Sequence, residues 1–292
     1  MGVQLSAGNV TMPPDKYIRI GDINTRYWEE GEKGSPVILI HGLGASAEIW
    51  MHNVSSIAGE HRVYVPDLVG FGLTDKPEVT YSPAFMAAFI NDFMMALSIN
   101  RACLVGNSLG GGVALQYTLQ FPGKVQKLVL VDSAGFGREM PFIMRLATIP
   151  IVGELMMQPN RMGMAFVLKR CVHDPAVITD DLVDLYYKLD SSPGARKSIL
   201  SVLRSSATIF GGRADVLDPI IKNLGNINVP ALIIWGRQDR ILPVRHACFA
   251  AEKLPNARLH IFDQCGHMPN FERPQEFNDL VLNFISDHPL NS

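Results

Sequence analysis

Leu104-Val105-Gly106-Asn107-Ser108-Leu109-Gly110-Gly111-Gly112 is the stretch on which the fold of this chain turns. The apolar run Ala102 to Val105 predicts a short buried strand. It passes straight into Gly106-Asn107-Ser108-Leu109-Gly110, and a helical pattern then continues through Val113, Leu115 and Tyr117 to Phe121-Pro122. A serine with glycines two residues away on each side, between strand and helix, is the nucleophile-elbow pattern. So tight a turn holds the serine in a strained backbone conformation, and side chains at 106 and 110 would collide with neighbouring elements. The turn lifts the hydroxyl out of the sheet, and the new helix offers its first N–H groups to developing negative charge. A glycine-rich turn with an incidental serine has the same local signature, so the rest of the chain decides.

Working outward, Tyr17 to Ile20 and Ile23 to Trp28 read as a hairpin across Gly21-Asp22. Val37 to Ile40 is an apolar strand ending in His41-Gly42-Leu43-Gly44, and Val63 to Val65 is another, ending in Pro66-Asp67. Phe85 to Leu97 is helical, and Leu128 to Val131 is a strand ending in Asp132. Strands alternating with helices predict an α/β fold with a mostly parallel sheet flanked by helices. From about Ser133 to about Leu224 only helix-like segments appear, with six methionines (Met140, Met144, Met156, Met157, Met162, Met164) and no clear strand. Such flexible side chains either pack a core or line a pocket for apolar ligands. The sheet pattern resumes at Ala231 to Trp235 and closes with Arg258 to Phe262, before an amphipathic helix from Pro274 to Ser286. The expected division is a core of residues 1–132 and 225–292, split by a helical insertion at 133–224.

In open α/β sheets the working residues sit at the carboxyl ends of strands. Ser108, Asp239 and His267 each follow a strand, in the chain order nucleophile, acid, base. A serine hydroxyl needs a base to accept its proton, and imidazole titrates near neutral pH. His267 is therefore the expected base, and Asp239 the acid that fixes its tautomer. Asp132 also ends a strand and is the rival acid; Asp239 is preferred for the pronounced loop Gly236-Arg237-Gln238-Asp239-Arg240-Ile241-Leu242-Pro243 around it. His41 is the main rival base, read instead as a brace for its turn. His246 and His260 fall inside regular elements, and His52, His61, His173 and His288 have no supporting context. The N–H groups of Leu43 and Leu109 are the expected oxyanion donors. Gly42, Asn107 and Met268 are the expected substrate contacts. Gly70-Phe71-Gly72 lacks the third glycine of a dinucleotide loop.

Composition narrows the function. Of 292 residues 47% are apolar, enough for a sizeable core, and the net charge is −2 with no basic run, which argues against a nucleic-acid partner. No signal peptide and no membrane-spanning run is visible. Cys103, Cys171, Cys248 and Cys265 are scattered, which fits reduced packing thiols in a cytoplasmic protein rather than a zinc or disulfide framework; Cys265 stands out for its closeness to His267. Asn9-Val10-Thr11 and Asn53-Val54-Ser55 match the glycosylation pattern but carry little meaning without a secretory signal. No metal or cofactor is called for.

Over essentially its full length the chain resembles the α/β-hydrolase superfamily. His41-Gly42-Leu43-Gly44, Asp67-Leu68-Val69-Gly70-Phe71-Gly72, Gly106-Asn107-Ser108-Leu109-Gly110-Gly111, Gly236-Arg237-Gln238-Asp239 and Cys265-Gly266-His267 stand where its motifs stand. The resemblance implies that the insertion is a cap that shields the pocket and sets substrate choice. It also implies a serine branch, since the dehalogenases and epoxide hydrolases of the superfamily use aspartate. Gly106-Asn107-Ser108 and the stretch from Ala257 to His267 resemble the meta-cleavage-product hydrolases, which split carbon–carbon bonds in ring-opened aromatics. Those enzymes usually carry a tryptophan after the catalytic histidine, where this chain has Met268, and a cap arginine for the substrate carboxylate, for which Arg196 and Arg204 are the counterparts to weigh. The expected function is cofactor-free hydrolysis of small or medium carboxylic esters, lactones included. The alternatives are carbon–carbon hydrolysis of ring-cleavage products and a non-turnover small-molecule receptor. Sequence alone leaves the oligomeric state open.

Overall fold

The computed structural model describes residues 11–286. Asn9 and Val10 of the first glycosylation pattern, the first ten residues of the stretch searched for a signal peptide, and His288 lie outside the described residues. Asn53 of the second pattern is buried and donates to Asn270 O and Asn278 Oδ1, so the folded chain does not present it.

Eight strands form one sheet: β1 (Lys16–Ile20), β2 (Ile23–Glu30), β3 (Pro36–Ile40), β4 (Arg62–Pro66), β5 (Ala102–Asn107), β6 (Val125–Val131), β9 (Ala231–Gly236) and β10 (Ala257–Phe262), in the order β1-β2-β4-β3-β5-β6-β9-β10. Two further strands, β7 (Ala207–Thr208) and β8 (Gly211–Gly212), pair only with each other. β2 runs antiparallel to β1 and β4, and every other pairing in the large sheet is parallel. Strands β3, β5 and β9 are buried at every position. Runs apolar on both faces are what a parallel sheet covered on both sides demands.

Ahead of β6 lie α1 (Val54–Ala58), α2 (Pro83–Ala96) and α3 (Leu109–Gln120). Between β6 and β9 come α4 (Phe142–Leu146), α5 (Val152–Met156), α6 (Arg161–Cys171), α7 (Asp180–Asp190), α8 (Ala195–Ser206) and α9 (Ala214–Asn223). Beyond β9 come α10 (Arg245–Lys253), α11 (Pro269–Glu272) and α12 (Pro274–Ile285). Alternate side chains of each strand feed two cores, as the two-residue period requires. Ile38, Leu104, Leu130 and Ile233 meet α2, α3 and α10 through Phe93, Leu115 and Ala250. Val37, Val105, Val131 and Ile234 meet α1 and α12 on the opposite face through Ile57 and Phe277. Truncating one of these leucines or isoleucines to alanine costs roughly 2–5 kcal/mol.

The insertion departs from expectation in two respects. The short β7–β8 pair was not anticipated, because two residues on each side are too few for any alternation to register. Helix α9, expected to belong to the insertion, packs on α3, and its Ile220 joins the core beneath the sheet. The methionines mostly pack: Met140, Met144 and Met157 lie against one core and Met164 against the other, while Met162 is exposed. Among the described residues no helix is long and apolar enough to cross a membrane.

Candidate active site

Ser108 sits between β5 and α3 at φ 55°, ψ −117°, a left-handed conformation rare for a side-chain-bearing residue. Neighbours on all sides hold it there. Its N–H donates to Val131 O at 2.9 Å, and its carbonyl accepts from Gly112 N and Ala134 N. A Cβ at Gly106 would stand 2.4 Å from Gly110 O, and one at Gly110 would stand 2.3 Å from Ile40 O. Both glycines are thus required by close approach of backbone, as the sequence suggested.

The turn after β3 faces this elbow. A Cβ at Gly42 would come within 3.2 Å of Ser108 Cβ, so glycine there lets the turn approach the serine. Ala45 N donates to Gly42 O and closes the turn, leaving the N–H of Leu43 outside that bond. The N–H of Leu109 is the first of α3 and has no acceptor within the helix. His41 is fully buried and braces the turn, as expected of it. Its Nε2 accepts from Leu68 N at 2.9 Å, so Nδ1 carries the proton and donates to Gly42 O at 2.8 Å. Burial brings its pKa down to about 4 and keeps the ring neutral.

His267 follows β10. Its Nδ1 lies 2.7 Å from Asp239 Oδ2, and the Asp239 side chain is entirely buried. The other carboxylate oxygen, Oδ1, accepts from Ile241 N at 2.7 Å and Leu242 N at 3.1 Å. The loop around Asp239 therefore turns back to supply donors to its own carboxylate. A carboxylate only accepts, so Nδ1 of His267 carries the proton and Nε2 is left free to take one. The arrangement can draw a proton from a hydroxyl and return it.

Asp132, the rival acid, ends β6 with φ 43° and is fully buried. Its Oδ1 accepts from Gly236 N at 3.0 Å rather than from a histidine. Burial, and the adjacent Asp239 charge, hold its carboxyl well above the usual carboxylate range. Among the described residues, Asp132, Asp239 and His267 are the one group of such side chains close enough to share a cation. Asp239 and His267 are already joined to each other there, and Asp132 has one N–H of its own.

A model for the Alpha/beta hydrolase family matches residues 37–280. The chain belongs to this family. It is 31% identical over 273 residues to 2-hydroxymuconate semialdehyde hydrolase of Pseudomonas putida, covering 90% of this chain and 91% of that one. It is 30% identical over 262 residues to 2-hydroxy-6-oxo-6-phenylhexa-2,4-dienoate hydrolase of Burkholderia cepacia, covering 87% and 89%. Among solved structures, a meta-cleavage product hydrolase from Pseudomonas fluorescens superimposes with a TM-score of 0.81 at 30% identity, over 93% of this chain and 97% of that one. The protein is a serine hydrolase of the α/β fold, and these similarities match the carbon–carbon alternative drawn from its sequence.

Of the remaining expected contacts of this hydrolase, Asn107 and Met268 are buried and Arg204 is engaged by the chain itself. Asn107, expected at the substrate, is 1% exposed, and its Nδ2 donates to His267 O at 3.1 Å and Val131 O at 3.3 Å. Met268 is buried in the core that joins α11 to α6 and α7. Arg204 is held by both carboxylate oxygens of Glu154 and by carbonyls of Thr148 and Ile149. The half-buried carboxyl of Asp190 is pushed up by burial and drawn part of the way back by the charge of Arg196. Asp190 lines a small cavity with Gly44, Ala45, Phe71, Leu189 and Ile199, next to the turn after β3.

Sequence reasoning missed two anchors of the His267 loop. Cys171 O at the end of α6 accepts from His267 N at 2.6 Å, and Glu272 accepts from Gly266 N and His173 N. A backbone carbonyl leaves no mark on its residue type, and Glu272 is one carboxylate in an ordinary helical stretch. Burial beside Glu272 pushes the Cys265 thiol up, so its nearness to His267 is structural rather than reactive.

Proposed function

We propose that this serine hydrolase cleaves carboxylic esters of small apolar substrates, lactones included, through an acyl-enzyme. Ser108 Oγ attacks the ester carbonyl while His267 Nε2 takes its proton, and Asp239 holds the imidazole and stabilises its charged form. The N–H groups of Leu43 and Leu109 receive the oxyanion, each contributing roughly 10²–10³ in rate. His267 passes the proton to the departing alkoxide. Water, deprotonated by the same ring, then releases the acid and restores Ser108. Asn107 acts here as a tether for the base rather than as a substrate contact. The insertion from Ser133 through β8 is the cap, resting on the oxyanion turn through Ile199 and on the base loop through Cys171; α9 goes with the core.

The observation that carries the ester assignment is the charge beside the oxyanion turn. A ring-cleavage product brings its own carboxylate, which requires an unengaged cation. Arg204 is engaged by Glu154, and Asp190, whose carboxyl lies within electrostatic reach of Arg196, itself lines the cavity. An acid there repels a carboxylate and tolerates a neutral ester. The names of the Pseudomonas and Burkholderia relatives favour a second reading, carbon–carbon hydrolysis, which uses the same three residues.

Side-by-side turnover of a p-nitrophenyl butyrate and a 2-hydroxy-6-oxo-dienoic acid separates the two. The ester is expected to show the higher kcat/KM. Faster cleavage of the dienoic acid overturns the ester assignment, and a single burst without steady turnover of either overturns both.

A further inference from the structure

Asp132 and Asp239 end neighbouring strands, β6 and β9, and the fold brings both into the same buried space. One oxygen of each carboxyl and one ring nitrogen of His267 all lie within 4.8 Å of one another. The two acids are satisfied very unequally. Asp239 accepts two backbone N–H groups on Oδ1 and His267 on Oδ2. Asp132 accepts one N–H, from Gly236, on Oδ1, and its buried Oδ2 meets no donor among the described residues.

An ionised carboxylate with a bare, fully buried oxygen is a costly arrangement. The groups facing Asp132 make it costlier. Asp239 approaches from the loop after β9, Glu272 from α11, and His267 and Cys265 from the loop after β10. None of these is a lysine or an arginine, and two are acids. A carboxylic acid in the same position resolves the conflict, because its O–H is a donor and a carboxylate such as Asp239 has lone pairs to spare. Burial and the Asp239 charge push the Asp132 carboxyl in that direction.

We propose that Asp132 is a positioning residue for the catalytic triad, its carboxyl group donating a hydrogen bond to Asp239 and accepting one from Gly236 N. It touches neither substrate nor reacting atoms. Its work is to hold the Asp239 carboxylate against His267 from behind without adding a second negative charge. An ionised Asp132 would stabilise the imidazolium and make His267 a base only at higher pH. A neutral donor instead draws off part of the negative charge of Asp239 and keeps His267 a base at lower pH than Asp239 alone would. Two aspartates at adjacent strand ends then have separate tasks, one charged and one neutral. The positive φ of Asp132 marks where the backbone bends to deliver its carboxyl into this space.

The test is the pH dependence of Ser108 labelling by a fluorophosphonate, which reads the ionisation of His267 and is independent of whether the natural substrate is an ester. Asp132→Asn preserves both hydrogen bonds, since its amide donates to Asp239 and its carbonyl accepts from Gly236. This variant is expected to label at close to the parent rate with the acid limb of the profile in place. Asp132→Ala removes the donor, which should shift the acid limb to higher pH and slow labelling about tenfold, as expected for one lost hydrogen bond to a charged group. Infrared difference spectra of the parent should show the carbonyl stretch of a protonated carboxyl that Asp132→Asn lacks. An acid limb that moves to lower pH in Asp132→Asn means Asp132 is ionised, and overturns the proposal even if the alanine variant fails to fold. Loss of labelling in Asp132→Asn with retention in Asp239→Asn overturns it too, by making Asp132 the triad acid.

Discussion

Asn107 and His267, 160 residues apart in sequence, are joined by a hydrogen bond of 3.1 Å from the side-chain amide of one to the carbonyl of the other. The residue just before Ser108 thus grips the backbone of His267, the proposed base, while its second bond to Val131 O ties both to β6. This buried amide links the Ser108 turn to the His267 loop, which Cys171 O and Glu272 also hold. Asn107→Ala is expected to cut kcat about 10²-fold with little change in KM, the loss that accompanies a displacement of about 1 Å in a reacting group. Steady-state kinetics on p-nitrophenyl butyrate checks it. A loss confined to KM would return Asn107 to the role of a substrate contact.

Ser108→Ala should abolish fluorophosphonate labelling while leaving the fold in place, because among the described residues no hydrogen bond of its side chain holds the elbow. Persistent labelling would mean a different nucleophile. Asp239→Asn should fold and lose roughly 10⁴ in kcat, since an amide lets the imidazole adopt the wrong tautomer.

Asp190→Asn changes the charge of the cavity beside the proposed oxyanion turn without changing its shape. Turnover of a hemisuccinate ester, which carries a carboxylate, is expected to rise several-fold relative to the neutral butyrate, consistent with about 1 kcal/mol for one partly screened charge pair. Parallel changes for both esters would mean that the charge of Asp190 does not reach the bound substrate.

His41 makes part of the stability pH-dependent. Its pKa is about 4 when folded and about 6.5 when unfolded, so below pH 6.5 the unfolded chain takes up a proton that the folded one refuses. Its contribution is complete above pH 6.5 and is lost as pH falls toward 4, by about 3 kcal/mol in all. Buried Asp67, with a pKa raised to about 6, acts in the opposite sense, gaining stability as pH falls. The His41 share is therefore read as the difference between the parent and His41→Asn in urea unfolding at pH 7 and pH 4.5. Equal pH dependence in the two would remove this account.

The elements around the site were legible because each is marked locally. Ala102 to Val105 is apolar without interruption and opens onto glycines, and β5 extends the expected strand only by Gly106 and Asn107, which pair with Leu130 and Val131. The β7–β8 pair carries no such mark. Nor does the role of Asn107, whose residue type suits a substrate contact as well as a tether.

By itself the sequence determined the strained serine turn, the α/β alternation and the three strand ends from which Ser108, Asp239 and His267 project. These depend on neighbours within a few residues, and hydrophobic period and glycine spacing record such neighbours directly. Tertiary structure decided what the loop around Asp239 only favoured in the sequence, that this strand-end aspartate and not Asp132 meets His267. The choice rests on the packing of β6 beside β9 and on donors from Ile241, Leu242 and Gly236. It also decided that Arg204 is held by a carboxylate of the chain itself. Both outcomes arise where segments far apart in sequence are pressed together, and the free energy of a buried charge depends on every group brought within a few ångströms of it.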